Sequence, residues 1–243
     1  MTAFAQRISA KHNTRFVFLD RRRYDINATV TVLGCTLWSE VASEQASDVA
    51  RLLTDFHEQY GIRGWTLDSH MQEHRKDLAW FNVQVEKIQQ HEPQRQIIVL
   101  THHCPTIDSR TTNPKHKVSR VRSAFQTDLS SELCWRSPQV KLWAFGHTHY
   151  SCCFRDDATG KLVIANQKGY DGLAMIRVDW KPRVVEMTAK GCALKDVDQW
   201  DSSHIHWPNG KAHIPVEAVS RRPVPSILQQ AVKRISSAIR PKR

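Results

Sequence analysis

The chain has 243 residues, 40% of them hydrophobic and 24% charged, with a formal net charge of +11. That apolar share, with eight Trp and eight Phe, excludes a disordered chain and fits one large domain or a domain with an appendage. No run of 18 apolar residues occurs, so no transmembrane segment is expected.

A basic surplus suits nucleic acid, an anionic membrane or a phosphorylated substrate. Here much of it is local: Arg221 to Arg243 contains seven Lys or Arg and no acid. With no zinc-finger, helix-turn-helix or RNP-type spacing, no nucleic-acid partner is expected. The six cysteines form no C-x-x-C pair, and no apolar stretch opens the chain. A reduced, cytoplasmic location is the expectation.

In chain order, "RFVFLD" (15–20) and "TVTVLGCTL" (29–37) read as strands, separated by a basic turn, "RRRYDIN". Residues 41–60 read as helix or loop. A long helix follows, with Asp68 or Ser69 as N-cap, Leu78, Phe81, Val85 and Ile88 at helical spacing, and Pro93 ending it. "IIVL" (97–100) is a continuous apolar run, as in a strand buried on both faces. Residues 106–120 read as a basic loop, in which "KHKVSRVR" (115–122) could guide an anionic substrate or simply be solvated. Residues 121–134 read as helical, and "LWAF" (142–145) as a second buried strand. "KLVIANQKGY", "LAMIRVDW" and "RVVEMTAK" read as further strands, and the pattern weakens after Gly191. Residues 1–200 thus read as one domain. Residues 201–243 read as an irregular basic tail with a short amphipathic helix bearing Ile227, Leu228, Ala231, Val232, Ile235 and Ile239 on one face.

Helix and buried strand alternate, which is α/β layering. Both apolar runs stop at histidines: His102 and His103 after the first, His147 and His149 after the second. Ligands gather at the carboxyl ends of such strands, and imidazole suits zinc, iron and similar ions. Gly146 permits a backbone turn, and residues two apart in an extended segment share a face, so His147 and His149 could converge. The plain alternative is a set of polar strand-end residues.

"VLTHHCPT" followed some forty residues later by "WAFGHTHY" resembles the C-terminal half of a calcineurin-like metallophosphoesterase. "VTVLGCTLWSE", "RKDLAWF" and "ANQKGY" resemble stretches of cytosolic members. The resemblance implies an αββα sandwich, incomplete at its N-terminus, and metal-dependent hydrolysis of a phosphoester substrate. It implies His102, His147 and His149 as metal ligands, with His103 on the substrate side. The family holds two Mn, Fe or Zn ions that orient the phosphoester and stabilise in-line displacement.

The family's earlier motifs, D-x-H, G-D and G-N-H, should precede "VLTHHCP". No Gly-Asp and no Gly-Asn-His occurs anywhere in the chain. Asp68-Ser69-His70 matches D-x-H by letter, but it opens a helix instead of ending a strand. His70 and His74, four apart on that helix, read as surface or packing residues. The chain is therefore expected to hold at most one weakly bound metal and to be inactive alone. Without the preceding strands, an exposed sheet edge or face and self-association are expected. The competing expectation is a catalytically dead remnant or binding module.

Overall fold

The computed structural model describes residues 2–12, 16–167, 183–189 and 191–195. Its first half contains α1 (Thr2–His12), β1 (Arg22–Asp25), β2 (Val30–Gly34), α2 (Ala46–Leu52), α3 (Leu67–His91) and β3 (Gln96–Leu100). Its second half contains α4 (Leu133–Arg136), β4 (Val140–Ala144), β5 (Cys152–Arg155), β6 (Leu162–Ala165), β7 (Val184–Thr188) and β8 (Gly191–Lys195).

The apolar runs form the centre of the sheet. β2, β3, β4 and β6 lie side by side and parallel, with α3 as the crossover from β2 to β3. Antiparallel β1 and β5 complete a six-stranded mixed sheet in the order β1-β2-β3-β4-β6-β5. The fold class is α/β, as the alternation of elements predicts. One face of the sheet, with Leu33, Ile97, Val99, Trp143 and Val163, packs against Phe81, Val85 and Ile88 of α3. Each of those three helix side chains contributes roughly 1.5–3 kcal/mol by leaving water. On the other face, Leu142, Leu162 and Ile164 pack with Val185, Met187 and Cys192 of the β7–β8 hairpin. β3 is less enclosed than its apolar run suggests, with Ile98 half-buried and Leu100 exposed.

Several elements differ from the sequence reading. Phe16–Leu19 takes no strand conformation, and the edge place beside β2 goes to the supposed basic turn, Arg22–Asp25. Charge holds that strand. Arg23 donates to both Glu92 carboxylate oxygens at 2.6 and 2.8 Å and to Asp25, and Thr31 donates to Asp25 at 2.6 Å. Residues 121–134 hold only a short turn, Arg122–Ala124, and α4, because a bridge between Cys104 and Gln126 draws the chain between them beside the end of β3. The cap of α3 is Thr66, whose hydroxyl accepts from the Ser69 amide, so Asp68 and Ser69 lie inside the helix. After Gly191 the chain forms β8. "LAMIRVDW" and the amphipathic segment of the basic tail lie outside the described residues. Among the described residues, no helix is long and apolar enough to cross a membrane.

The buried stripe of α3 runs His70, His74, Asp77, Phe81, Val85, Ile88. Its apolar end covers the sheet. Its polar end grips the loop after β2. The Asp77 carboxyl is buried, and burial pushes its pKa up, opposed chiefly by Arg21, which donates to it at 2.7 Å. Arg21→Met strands that carboxylate and is expected to cost about 3 kcal/mol at pH 7. An acid held above its unfolded pKa destabilises the fold while ionised, so the deficit relative to the parent shrinks as pH falls and Asp77 takes a proton. Urea unfolding of both proteins at pH 7 and pH 5 measures this.

Candidate metal centre

Parallel strands place their carboxyl ends on one edge of the sheet, and that is where the histidines lie. His102 and His103 follow β3, and His147 follows the neighbouring β4. The two segments are tied by backbone hydrogen bonds: Thr101 N–H to Ala144 at 3.0 Å and Gly146 N–H to His102 at 3.0 Å. The loop after β2 adds a third tie, since the Thr36 carbonyl accepts from the amides of His102 and His103 at 3.2 and 3.1 Å. The Trp143 indole donates to the Thr101 hydroxyl, which donates in turn to the His103 carbonyl.

Gly146 does not itself take the left-handed turn. The residues with positive φ are His147 (62°) and His149 (51°). Gly146 is instead a site of close approach: a Cβ there would sit 3.4 Å from His102 Nδ1 and 3.5 Å from the His102 carbonyl. Thr148 N–H bonds to the Gly146 carbonyl at 2.7 Å, a γ-turn centred on His147. With positive φ at its centre, such a turn is rare and strained. The segment is not extended, so the expected convergence of residues two apart does not apply.

The turn brings His147 onto His102 and His103. Ring centroids lie 4.7 Å apart for His102–His147, 4.2 Å for His103–His147 and 5.4 Å for His102–His103. One nitrogen from each of the three falls within 4.8 Å of the others, the group among the described residues able to hold a metal ion. Tetrahedral ligands at 2.0–2.1 Å from zinc stand about 3.3 Å apart, so the triad would contract to close on an ion. Two further observations fit a cation. Nδ1 of His103 and Nε2 of His147 are buried without a hydrogen-bond partner. Burial, reinforced by the neighbouring histidines, depresses both pKa values, that of His147 to about 3. Burial also lowers His102, against the pull of Asp55. Neutral imidazole is the form that binds metals.

The sequence reading named His102, His147 and His149 as ligands and put His103 on the substrate side. The structure puts the buried His103 in the triad. His149 is exposed and outside that group, though its charge is felt by His147, and burial lowers its own pKa. Cys104, next to His103, is fully buried, and its thiol bonds to the Thr106 carbonyl.

Sequence reasoning missed the wall behind the triad. His70, read as surface or packing, is fully buried, 5.6 Å from His103 between ring centroids, and accepts from the Ser39 amide at 3.3 Å. His74 Nδ1 lies 2.8 Å from the Leu37 carbonyl. Trp38 packs against both His70 and His103, and Phe125 stacks on His147 at 4.6 Å. Asp55 was missed as well, although Asp55-Phe56-His57 also reads D-x-H by letter. It sits in the Thr54–Phe56 turn within electrostatic reach of His102.

No family model matches the chain, and no solved structure matches it. It is 23% identical over 164 residues to "Uncharacterized protein L509" of Acanthamoeba polyphaga mimivirus, a match covering 63% of this chain and 55% of that protein. The chain thus spans about half the length of the relative it matches.

Burial and the neighbouring His74 depress the pKa of His70 to about 4. A histidine held neutral in the fold but free to protonate near 6.5 when unfolded makes stability fall as pH drops below 6.5. His70→Asn is expected to flatten the stability–pH profile between pH 6.5 and 4.5, by at most about 1.4 kcal/mol per pH unit. Thermal or urea unfolding across that range measures it.

Proposed function

We propose that this chain carries the histidine-bearing part of a calcineurin-like metallophosphoesterase centre and binds one divalent metal ion of the zinc type through His102, His103 and His147. The observation that carries the reading is the triad of neutral imidazoles built across two adjacent parallel strand ends, with His103 buried, His147 half-buried and His102 exposed at its mouth, and with Nδ1 of His103 and Nε2 of His147 buried without a hydrogen-bond partner. "THHCP" and "GHTH" occur in the family's order, each directly after a central strand. The β7–β8 hairpin over the second sheet face is compatible with a sandwich architecture. The basic loop "KHKVSRVR" leads into the turn before Phe125, where lysines and arginines can attract a phosphoester.

When bound, the ion would supply Lewis-acid polarisation of a phosphoryl oxygen. The chain's own residues hold the ligands. Thr36 and Gly146 fix the histidine backbones, and Phe125 and Trp38 fix ring orientation. A second metal does not fit these residues, because the G-D and G-N-H motifs that would bind it are absent. Turnover by this chain alone is therefore negligible, which also supports the second reading, a non-catalytic metal-binding or phosphoester-binding module.

Calorimetry with zinc and manganese is expected to give one ion per chain. His147→Ala, His102→Ala and His103→Ala should each weaken it at least a hundredfold, and His149→Ala much less. Parent-like affinity in all three triad variants would overturn the reading. In parallel, an aryl phosphate with zinc, manganese or iron should show no turnover above background. Metal-dependent hydrolysis lost in His147→Ala would overturn the claim of inactivity.

A further inference from the structure

Between β3 and α4 the chain leaves the histidine edge of the sheet and returns to it. Both feet of this excursion are pinned. The Cys104 amide bonds to the Phe125 carbonyl at 3.1 Å, and the Thr127 amide to the Cys104 carbonyl at 3.0 Å. Along the way, Thr111 is fully buried and donates to the Asp108 carbonyl at 2.6 Å. Val121 and Ala124 sink into an apolar cluster with Val41, Val49 and Leu53. Arg122 crosses the loop and donates to the Ile107 carbonyl at 2.7 Å.

The part that projects, residues 112–120, is a run of tight turns. The Asn113 side chain accepts from the Lys115 amide at 3.0 Å and caps a short helical turn, Pro114–His116. The Ser119 amide then bonds to the His116 carbonyl at 3.0 Å, which sets Lys117 and Val118 at the two corners of a β-turn. A turn tip in water ordinarily takes Gly, Asn, Asp or Ser. This one takes a β-branched apolar residue. Val118 is 84% exposed, whereas Ile26, the next most exposed large apolar side chain among the described residues, is at 52%. Ile107, tied to the same loop by Arg122, is exposed as well.

The surroundings of that tip carry one sign of charge. Residues 106–122 hold five Lys or Arg against one acid. Arg110 is answered by Asp108 and Arg120 by Asp48. Lys115 and Lys117 are exposed, and among the described residues they pair with no acid. A well-tied cationic turn with an apolar tip matches anionic headgroups lying over acyl chains. Nucleic acid supplies the charge but no apolar layer. Its single strands are ordinarily met by stacked aromatic side chains, and residues 106–122 contain no Phe, Tyr or Trp.

We propose that residues 114–122 form a peripheral membrane-docking site, in which Val118 enters the headgroup region of an anionic bilayer and Lys115 and Lys117 engage the lipid phosphates and carboxylates. The loop springs from the sheet edge that carries the histidines, so docking through it brings that edge near the lipid. Docking of this kind does not depend on a metal at the triad.

Co-sedimentation of the full chain with phosphatidylcholine vesicles, with and without phosphatidylserine, is the test. Binding is expected only with phosphatidylserine and should fall as salt is raised. The basic tail adds attraction of its own, so the loop is read from variants of the full chain. Val118→Asp is expected to weaken binding about tenfold or more and Val118→Trp to strengthen it, each with the parent's unfolding midpoint. Lys117→Ala should cost about fivefold. Lys87→Ala, which removes an exposed lysine of α3, should change little. If Val118→Asp and Val118→Trp both bind like the parent, the tail or general charge holds the protein and the proposal is wrong. It is wrong as well if Lys87→Ala weakens binding as much as Lys117→Ala. An oligonucleotide that binds parent and Val118→Asp alike, and more tightly than the vesicles do, would identify a nucleic-acid surface instead and overturn it.

Discussion

Leu37 and Trp38 stand consecutively in the left-handed region, at φ 68° and 41°. Neither is a residue that tolerates it well, and each such position costs on the order of 1–3 kcal/mol. The conformation persists because α3 holds it. His74 pairs with the Leu37 carbonyl, His70 accepts from the Ser39 amide on the far side of Trp38, and the Leu37 amide favours the ionised form of Asp77 beneath. Everything at the sheet edge depends on this grip. The same loop offers the Thr36 carbonyl to the amides of His102 and His103, and its Trp38 covers His103 and His70. One helical stripe thus does two jobs, apolar toward the sheet and polar toward the site.

That arrangement explains why the histidines are neutral. Protonated imidazoles within 4–6 Å of one another in a buried setting would repel and lose hydration, so the fold disfavours the charged form of each. A metal arriving at such a site displaces no protons and meets ligands held by backbone ties. The chain carries a formal net charge of +11, yet its candidate centre, made of neutral imidazoles, carries no positive charge until an ion binds.

How much of this was legible in the sequence follows from which interactions are apolar. "IIVL" and "LWAF" announced central strands because burial leaves a continuous run of large side chains. The strand Arg22–Asp25 announced nothing, because ion pairs to Glu92 and a hydrogen bond from Thr31 hold it in place, and these are invisible to hydrophobic periodicity. "RFVFLD" misled for the opposite reason, with apolar residues that enter no ladder. In α3 the apolar half of the stripe was read and the polar half was not, since His70, His74 and Asp77 look like surface until the loop they grip is known. The strand-end histidines were legible as a cluster. Their division of labour was not, because the left-handed backbone at His147 and His149 redirects side chains that letter spacing treats as extended.

The topology also constrains the charge of the centre. Four parallel strands offer four carboxyl ends. Two carry the histidines. The end of β2 is spent as scaffold, through Thr36, Leu37 and Ser39, and β6 runs into Asn166 and Gln167, which are amides. Among the described residues, none of these four strand ends brings a carboxylate into the histidine triad. An ion among three neutral ligands keeps its full positive charge in a partly buried pocket, where low dielectric strengthens its attraction for anions. Under the proposed function, a phosphoester dianion is such a species.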